Sequence, residues 1–207
     1  MIIFCDFDGT ISNEDLLDKL VDHCASPDFR IMQECLILNG TKDYNNVIDL
    51  FFKKINISLG DAINILNDKN VIDVHFENFY NLCVERNIPF YILSSGVKKI
   101  ITHYLPYIDD NLIFANNVEI DEYNNWHLKL FMNIGINKLN IIKGYEKTPK
   151  IYIGDGLSDI SVVDYVDLLF VKNNSYLHKF CIDNNKKHVT FNNFNDILIS
   201  IIYIYNE

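Results

Sequence analysis

Asp6 and Asp8 stand one residue apart in Asp6-Phe7-Asp8-Gly9-Thr10, directly after the apolar run Met1-Ile2-Ile3-Phe4-Cys5. Side chains alternate along an extended backbone, so both carboxylates reach one site while Phe7 points away. Two acids that close repel unless a cation or a shared proton relieves them, which points to Mg²⁺ chemistry or acid/base chemistry. A second acidic turn, Gly154-Asp155-Gly156-Leu157-Ser158-Asp159, follows the apolar Ile151-Tyr152-Ile153. Its glycines let backbone come close to a ligand, and the segment after it reads as a helix. Tyr91-Ile92-Leu93-Ser94-Ser95-Gly96 ends in small hydroxyl residues before the helical Val97-Lys98-Lys99-Ile100-Ile101. Free N–H groups at that helix start, with the Ser94 hydroxyl, suit a phosphate. Lys138 opens another helical stretch and offers a cation.

The elements that must position these groups follow from periodicity. Phe90–Leu93, Ile151–Ile153 and Leu168–Val171 read as buried strands with helices between them, the pattern of right-handed crossovers in a parallel sheet. Residues 11–74 contain no clear strand. Glu14 to Cys24 places Leu16, Leu17, Leu20 and Val21 on one face. Pro27 suits the first turn of a second helix, Asp43 to Lys54 reads as a third, and Ser58 caps a fourth. Residues 11–74 are therefore predicted to be an inserted helical cap, with 1–10 and 75–207 as the catalytic core. Asn111 to Phe131 suggests antiparallel ribbon near the mouth of the site. Asn-Asn pairs recur at expected turns and helix ends. The tail from Val189 reads as a short strand followed by a helix starting near Asn193.

In their order along the chain the four motifs resemble the haloacid dehalogenase superfamily of phosphotransferases, over residues 1 to about 171. The resemblance implies an α/β fold with a Rossmann-like three-layer parallel-sheet core. It implies that Asp6 is the nucleophile taking the phosphoryl group and Asp8 the general acid/base. Ser94 and the Ser95 backbone are expected to hold the phosphate, and Lys138 to stabilise its charge. Asp6, Asp8, Asp155 and Asp159 are expected around a magnesium ion. An Asp where Asp8 stands disfavours the dehalogenases of the superfamily. The cap, the ribbon before Lys138 and the phrase Tyr152-Ile153-Gly154-Asp155-Gly156 resemble the phosphoserine-phosphatase-like branch. Within it the resemblance is closest to phosphatases acting on 2-hydroxy-3-keto-5-methylthiopentenyl-1-phosphate and to phosphoethanolamine/phosphocholine phosphatases. Phosphoserine phosphatases carry a cap Glu and Arg for the amino-acid headgroup. Here Asp15 stands where that Glu is expected, and Arg30 is the only arginine of residues 11–74. Asp15 is the expected headgroup contact.

The chemistry also follows from charge. Attack of a carboxylate on a phosphate monoester brings two anions together, so hard oxygen ligands for Mg²⁺ and a lysine are what such a site requires. The leading expectation is an Mg²⁺-dependent phosphomonoesterase for a small metabolite. A phosphotransferase or mutase that shields the aspartyl-phosphate from water is an alternative, as is a phosphoserine phosphatase. A non-catalytic phospho-receiver fits less well, because its phosphorylated Asp lies mid-domain in a chain about half as long. A net charge of −10 over 207 residues argues against nucleic acid or an anionic membrane as partner. No apolar run has the length of a membrane span. Five cysteines without a C-x-x-C pair read as reduced thiols. A cytoplasmic monomer or homodimer is expected.

Overall fold

The computed structural model describes residues 1–67, 70–129, 136–146 and 148–206. Seven strands form one sheet in the order β4-β3-β2-β1-β5-β6-β7. They are β1 (Ile2–Cys5), β2 (Phe90–Val97), β3 (Ile113–Ile120), β4 (Trp126–Lys129), β5 (Lys150–Gly154), β6 (Leu168–Lys172) and β7 (Val189–Phe191). All neighbours are parallel except β3 and β4. The three-layer arrangement is visible in β1 itself. Ile3 and Cys5 enter one core with helices α5 (Phe76–Glu85), α6 (Lys98–Tyr104) and α9 (Phe194–Asn206). Ile2 and Phe4 enter the other, with α7 (Ile136–Lys143), α8 (Tyr176–Asp183) and a 3₁₀ segment over Leu157–Tyr165. Buried on both faces, β1 reads as an unbroken apolar run, as parallel strands do. Truncating Phe4 to Ala would cost about 3–5 kcal/mol.

Among the described residues, four helices lie between β1 and α5: α1 (Leu16–Cys24), α2 (Pro27–Leu38), α3 (Tyr44–Phe52) and α4 (Leu59–Leu66). Asp15, Ser26, Asp43 and Ser58 cap their N-termini with side-chain oxygens, each worth about 1 kcal/mol. Their apolar faces pack together through Leu20, Val21, Val47, Phe51, Phe52 and Leu66. The chain leaves and re-enters the sheet at one place, where Ser12 and Ile72 form an antiparallel bridge. Asp73 anchors the return, accepting from His75 N at 2.8 Å and Phe194 N at 3.1 Å.

Several elements differ in extent from the sequence reading. β2 continues four residues past Leu93, so Ser94 and Ser95 lie within the strand, and its register against β3 shifts between Leu93 and Val97. The two apolar pieces after Asn111 form one strand, β3, whose first half pairs with β2 and whose second half pairs with β4. The ribbon thus extends the main sheet. Trp126 ties it to the inserted helices by donating from Nε1 to Ile57 O at 2.8 Å. The segment after Gly156 is 3₁₀ rather than α-helical. Asn124, Asn174 and Asn185, each in an Asn-Asn pair, take the left-handed backbone that turns require. Residues 130 and 131, at the end of the expected ribbon, lie outside the described residues.

Candidate active site

The site lies at the carboxyl ends of β1, β2 and β5, where a parallel sheet collects its loops. Cys5 is in register with Ile92 on one side and Ile153 on the other, so the next residues of all three strands converge. Asp6 N donates to Ile153 O at 2.9 Å, fixing the first acid beside the second acidic turn. Gly9 has φ +70°, and a Cβ there would collide with Asp155 Oδ2. A Cβ at Gly96 would collide with Asp8 Oδ2. The glycines are where carboxylates press on backbone.

Asp6 is buried, its Oδ1 accepting from Phe7 N at 2.7 Å and its Oδ2 from Lys138 Nζ at 2.9 Å. Lys138, 1% exposed, also donates to Asp159 Oδ1 at 2.7 Å and Ser158 Oγ at 3.0 Å, which uses all three of its donors. Burial alone would lower its pKa, but Asp159 and Asp6 hold it well above the usual lysine value. Asp159 is fully buried and saturated. It takes Tyr152 Oη at 2.5 Å and Lys138 on Oδ1, and Asp155 N at 3.0 Å and Gly156 N at 2.9 Å on Oδ2. Asp155 accepts from Thr10 Oγ1 at 2.8 Å. Burial, then the charge of Asp159, raises its pKa to about 7. Burial and Asp159 likewise push Asp6 well above the ordinary carboxylate value, with Lys138 opposing.

Asp6, Asp155 and Asp159 each offer an oxygen, and these lie within 4.8 Å of one another. One lysine cannot balance three clustered carboxylates, and hard oxygen donors are the set a small divalent cation requires. The group can hold a metal. Because Asp159 already accepts four bonds, Asp6 and Asp155 have the freer lone pairs. The Asp8 side chain is outside this trio. Its Oδ1 accepts from Leu16 N at 3.1 Å and its Oδ2 from Ser94 Oγ at 3.2 Å. Burial, then Asp15, raises it to about 8, with those two donors opposing. An acid so tuned can give and take a proton near neutrality.

Ser94 and Ser95 are placed differently. Ser94 is buried behind Asp8, and its Oγ also accepts from Gly96 N at 2.9 Å, so that N–H is not free. Ser95 faces an open cavity of about 280 Å³ with Asp6, Asp8 and Asp155 at its base. The opposite wall comes from the inserted helices and carries Asp15, Asp18, Glu34 and Tyr44 with an apolar patch including Ile37, Ile48 and Phe51. Asp15 is thus in the cavity wall and at the same time the N-cap of α1, accepting from Asp18 N at 2.9 Å. Arg30 is committed to carboxylates: Asp22 and Glu34 at 2.7 Å and Asp18 at 3.3 Å. Burial, then Asp15, raises Asp18 to about 9, with Arg30 opposing. Asp18, Glu34, Tyr44 and Tyr152 were not singled out from sequence. They sit on helix faces or inside a strand, where spacing carries no signal of what lies across a gap.

No protein-family model matches the chain. The polyol phosphate phosphatase PYP1 of Saccharomyces cerevisiae is 31% identical over 221 residues, spanning 97% of this chain and 92% of that protein. The chain belongs to the haloacid dehalogenase family of phosphatases. This phosphatase is also 25% identical to the 2-hydroxy-3-keto-5-methylthiopentenyl-1-phosphate phosphatase of Bacillus mycoides, over 98% of its length and 96% of the relative's. Its fold matches a phosphoserine phosphohydrolase-like protein from Francisella tularensis with a TM-score of 0.74 and 17% identity, covering 97% and 99% of the two chains. The expected family, fold class and enzyme class are those found. No helix among the described residues is long and apolar enough to cross a membrane.

Proposed function

We propose that this phosphatase hydrolyses a small, hydroxylated phosphomonoester through an aspartyl-phosphate on Asp6, with Mg²⁺ as its metal. The observation that carries the reading is the cavity itself, which has the Asp6, Asp8 and Asp155 carboxylates at its base and a separate acidic and apolar wall above them. An Asp6 oxygen attacks phosphorus as the bond to the leaving alcohol breaks, and Asp8 gives that alcohol its proton. Asp8 then takes a proton from water whose oxygen attacks phosphorus, and the bond to Asp6 breaks to release phosphate. Lys138 holds Asp6 in place and offsets negative charge. Mg²⁺, held by Asp6 and Asp155, would neutralise phosphoryl charge as a Lewis acid. Asp159 acts by fixing Lys138 and the Asp155–Gly156 backbone. Residues 11–74 serve as a cap that supplies specificity.

The cap wall supports hydroxyl-bearing headgroups. Carboxylates accept hydrogen bonds from hydroxyls and repel a second anion, and Arg30, bonded to Asp18, Asp22 and Glu34, is not among the residues lining the cavity. The relative with polyol phosphate activity in its name fits this wall. The Ile37, Ile48 and Phe51 patch favours a second reading, a methylthio-bearing phosphate as in the Bacillus relative. The free state of all five cysteines fits a cytoplasmic setting. A panel of glycerol, sorbitol and thiopentenyl phosphates, phosphoethanolamine and L-phosphoserine, assayed by phosphate release with Mg²⁺ and with EDTA, tests the proposal. Polyol phosphates should lead and EDTA should abolish turnover. L-phosphoserine as the best substrate, or full activity in EDTA, would overturn it.

A further inference from the structure

Tyr44 is the cap residue that reaches across the cavity to the phosphate-binding strand. It is the first residue of α3, which is pinned by its Asp43 cap and by buried Val47, Ile48, Phe51 and Phe52. Its hydroxyl lies 3.5 Å from Ser95 Oγ. Hydroxyl pairs that bond well sit at roughly 2.5–3.0 Å, so these two gain little from each other. Neither hydroxyl has another hydrogen bond among the described residues, whereas neighbouring Ser94 has both a donor and an acceptor partner. Ser95 is held from behind by Asn116, fully buried, whose Nδ2 donates to Ser95 O at 2.8 Å. Two hydroxyls on rigid elements thus face the cavity that contains Asp6 and Asp8, spaced so that one oxygen could lie about 2.7 Å from each.

We infer that Tyr44 and Ser95 form a two-hydroxyl clamp, one from the cap and one from the core, that donates both protons to a single oxygen of the phosphoryl group. This deepens the proposed phosphatase reading and rests on it. The chemistry that the clamp recognises is the phosphoryl anion and not the headgroup, so it belongs to every substrate alike. Burial keeps the Tyr44 hydroxyl protonated, with its pKa well above the usual tyrosine value, and so keeps it a donor. The arrangement also explains why a cap residue approaches the catalytic strand at all: an occupied phosphate site ties the cap down over the headgroup.

The test uses inorganic phosphate and orthovanadate as competitive inhibitors, because neither has a headgroup. Tyr44→Phe removes one oxygen and keeps the ring, and Ser95→Ala removes the partner from the core side. Each should raise the inhibition constants for both anions about tenfold or more, the scale of a lost hydrogen bond to a charged group. The double variant should depart from the product of the single losses, because both donors share one oxygen. Hydrolysis of p-nitrophenyl phosphate should fall in kcat/KM along with that of larger substrates. Inhibition constants within twofold of the parent in Tyr44→Phe, with losses confined to substrates with large headgroups, would overturn the clamp and leave the phosphatase reading intact. A parent protein that neither hydrolyses phosphomonoesters nor binds phosphate with Mg²⁺ would overturn both.

Discussion

Asp159 and Asp6 share Lys138, yet their removal should affect the fold very differently. Asp159→Asn replaces an acceptor-only group by one whose amide nitrogen must face two donors, whichever way it is turned. On one side these are Tyr152 Oη and Lys138 Nζ, on the other the Asp155 and Gly156 backbone N–H groups. Breaking a fully buried ion pair by removing one partner costs about 3–5 kcal/mol. Unfolding entropy of about 2.1 cal/mol/K per residue gives roughly 0.4 kcal/mol/K for 207 residues, so a loss near 4 kcal/mol lowers Tm by about 10 °C. Among the described residues Asp6→Asn disturbs only two donors, Phe7 N and Lys138 Nζ, and it relieves the repulsion from Asp155 and Asp159 that raises the Asp6 pKa. Those opposing effects are each about 1 kcal/mol, so Tm should move by no more than about 3 °C. Thermal melts of both variants in EDTA near neutral pH make the comparison. Equal Tm losses, or a loss of less than 3 °C in Asp159→Asn, would refute the assignment of Asp159 as the structural hub and Asp6 as the group held for chemistry.

Asp8→Asn should slow phosphorylation less for p-nitrophenyl phosphate than for an alkyl phosphate in single-turnover assays, because nitrophenolate leaves without a proton; equal losses would make Asp8 purely structural. Asp15→Ala should cost about 1 kcal/mol through loss of the α1 cap, whereas Asp15→Ser keeps the cap, so a fall in kcat/KM shared by both variants but absent with p-nitrophenyl phosphate isolates the headgroup role. Without metal, stability should fall as pH rises from about 4 to 8, because folded Asp155 and Asp8, at about 7 and about 8, bind protons that the unfolded chain has already released. Urea melts across that range should show the slope, and saturating Mg²⁺ should flatten it.

The sheet was legible because β1, β5 and β6 are apolar on both faces and end in glycine or charge, a local signal that needs no partner. The helix starts at Pro27 and Ser58 were legible for the same reason, since such signals use residues a few positions apart. The acids of the site were readable because their spacing is local: Asp6 with Asp8, Asp155 with Asp159. What the chain order hides is long-range assignment. Nothing local distinguishes Ser94, which lies behind Asp8, from Ser95, which faces the cavity, because the β2 register shift that separates them depends on pairing with β3. Two of the carboxylate partners of Arg30, Asp18 and Asp22, reach it only through the packing of α1 on α2, whereas Glu34 lies one turn along its own helix. Tyr44 is separated from Ser95 by 51 positions and meets it only through the fold.

The covalent step is the centre of the account. Rapid acid quench of the Asp8→Asn protein with Mg²⁺ and a ³²P-labelled phosphomonoester, followed by peptide mapping, measures it directly. The label should appear within the first turnover on the peptide carrying Asp6, be discharged by hydroxylamine as an acyl-phosphate is, and be absent from Asp6→Asn. Turnover with no protein-bound label, or label on any residue other than Asp6, would contradict the mechanism.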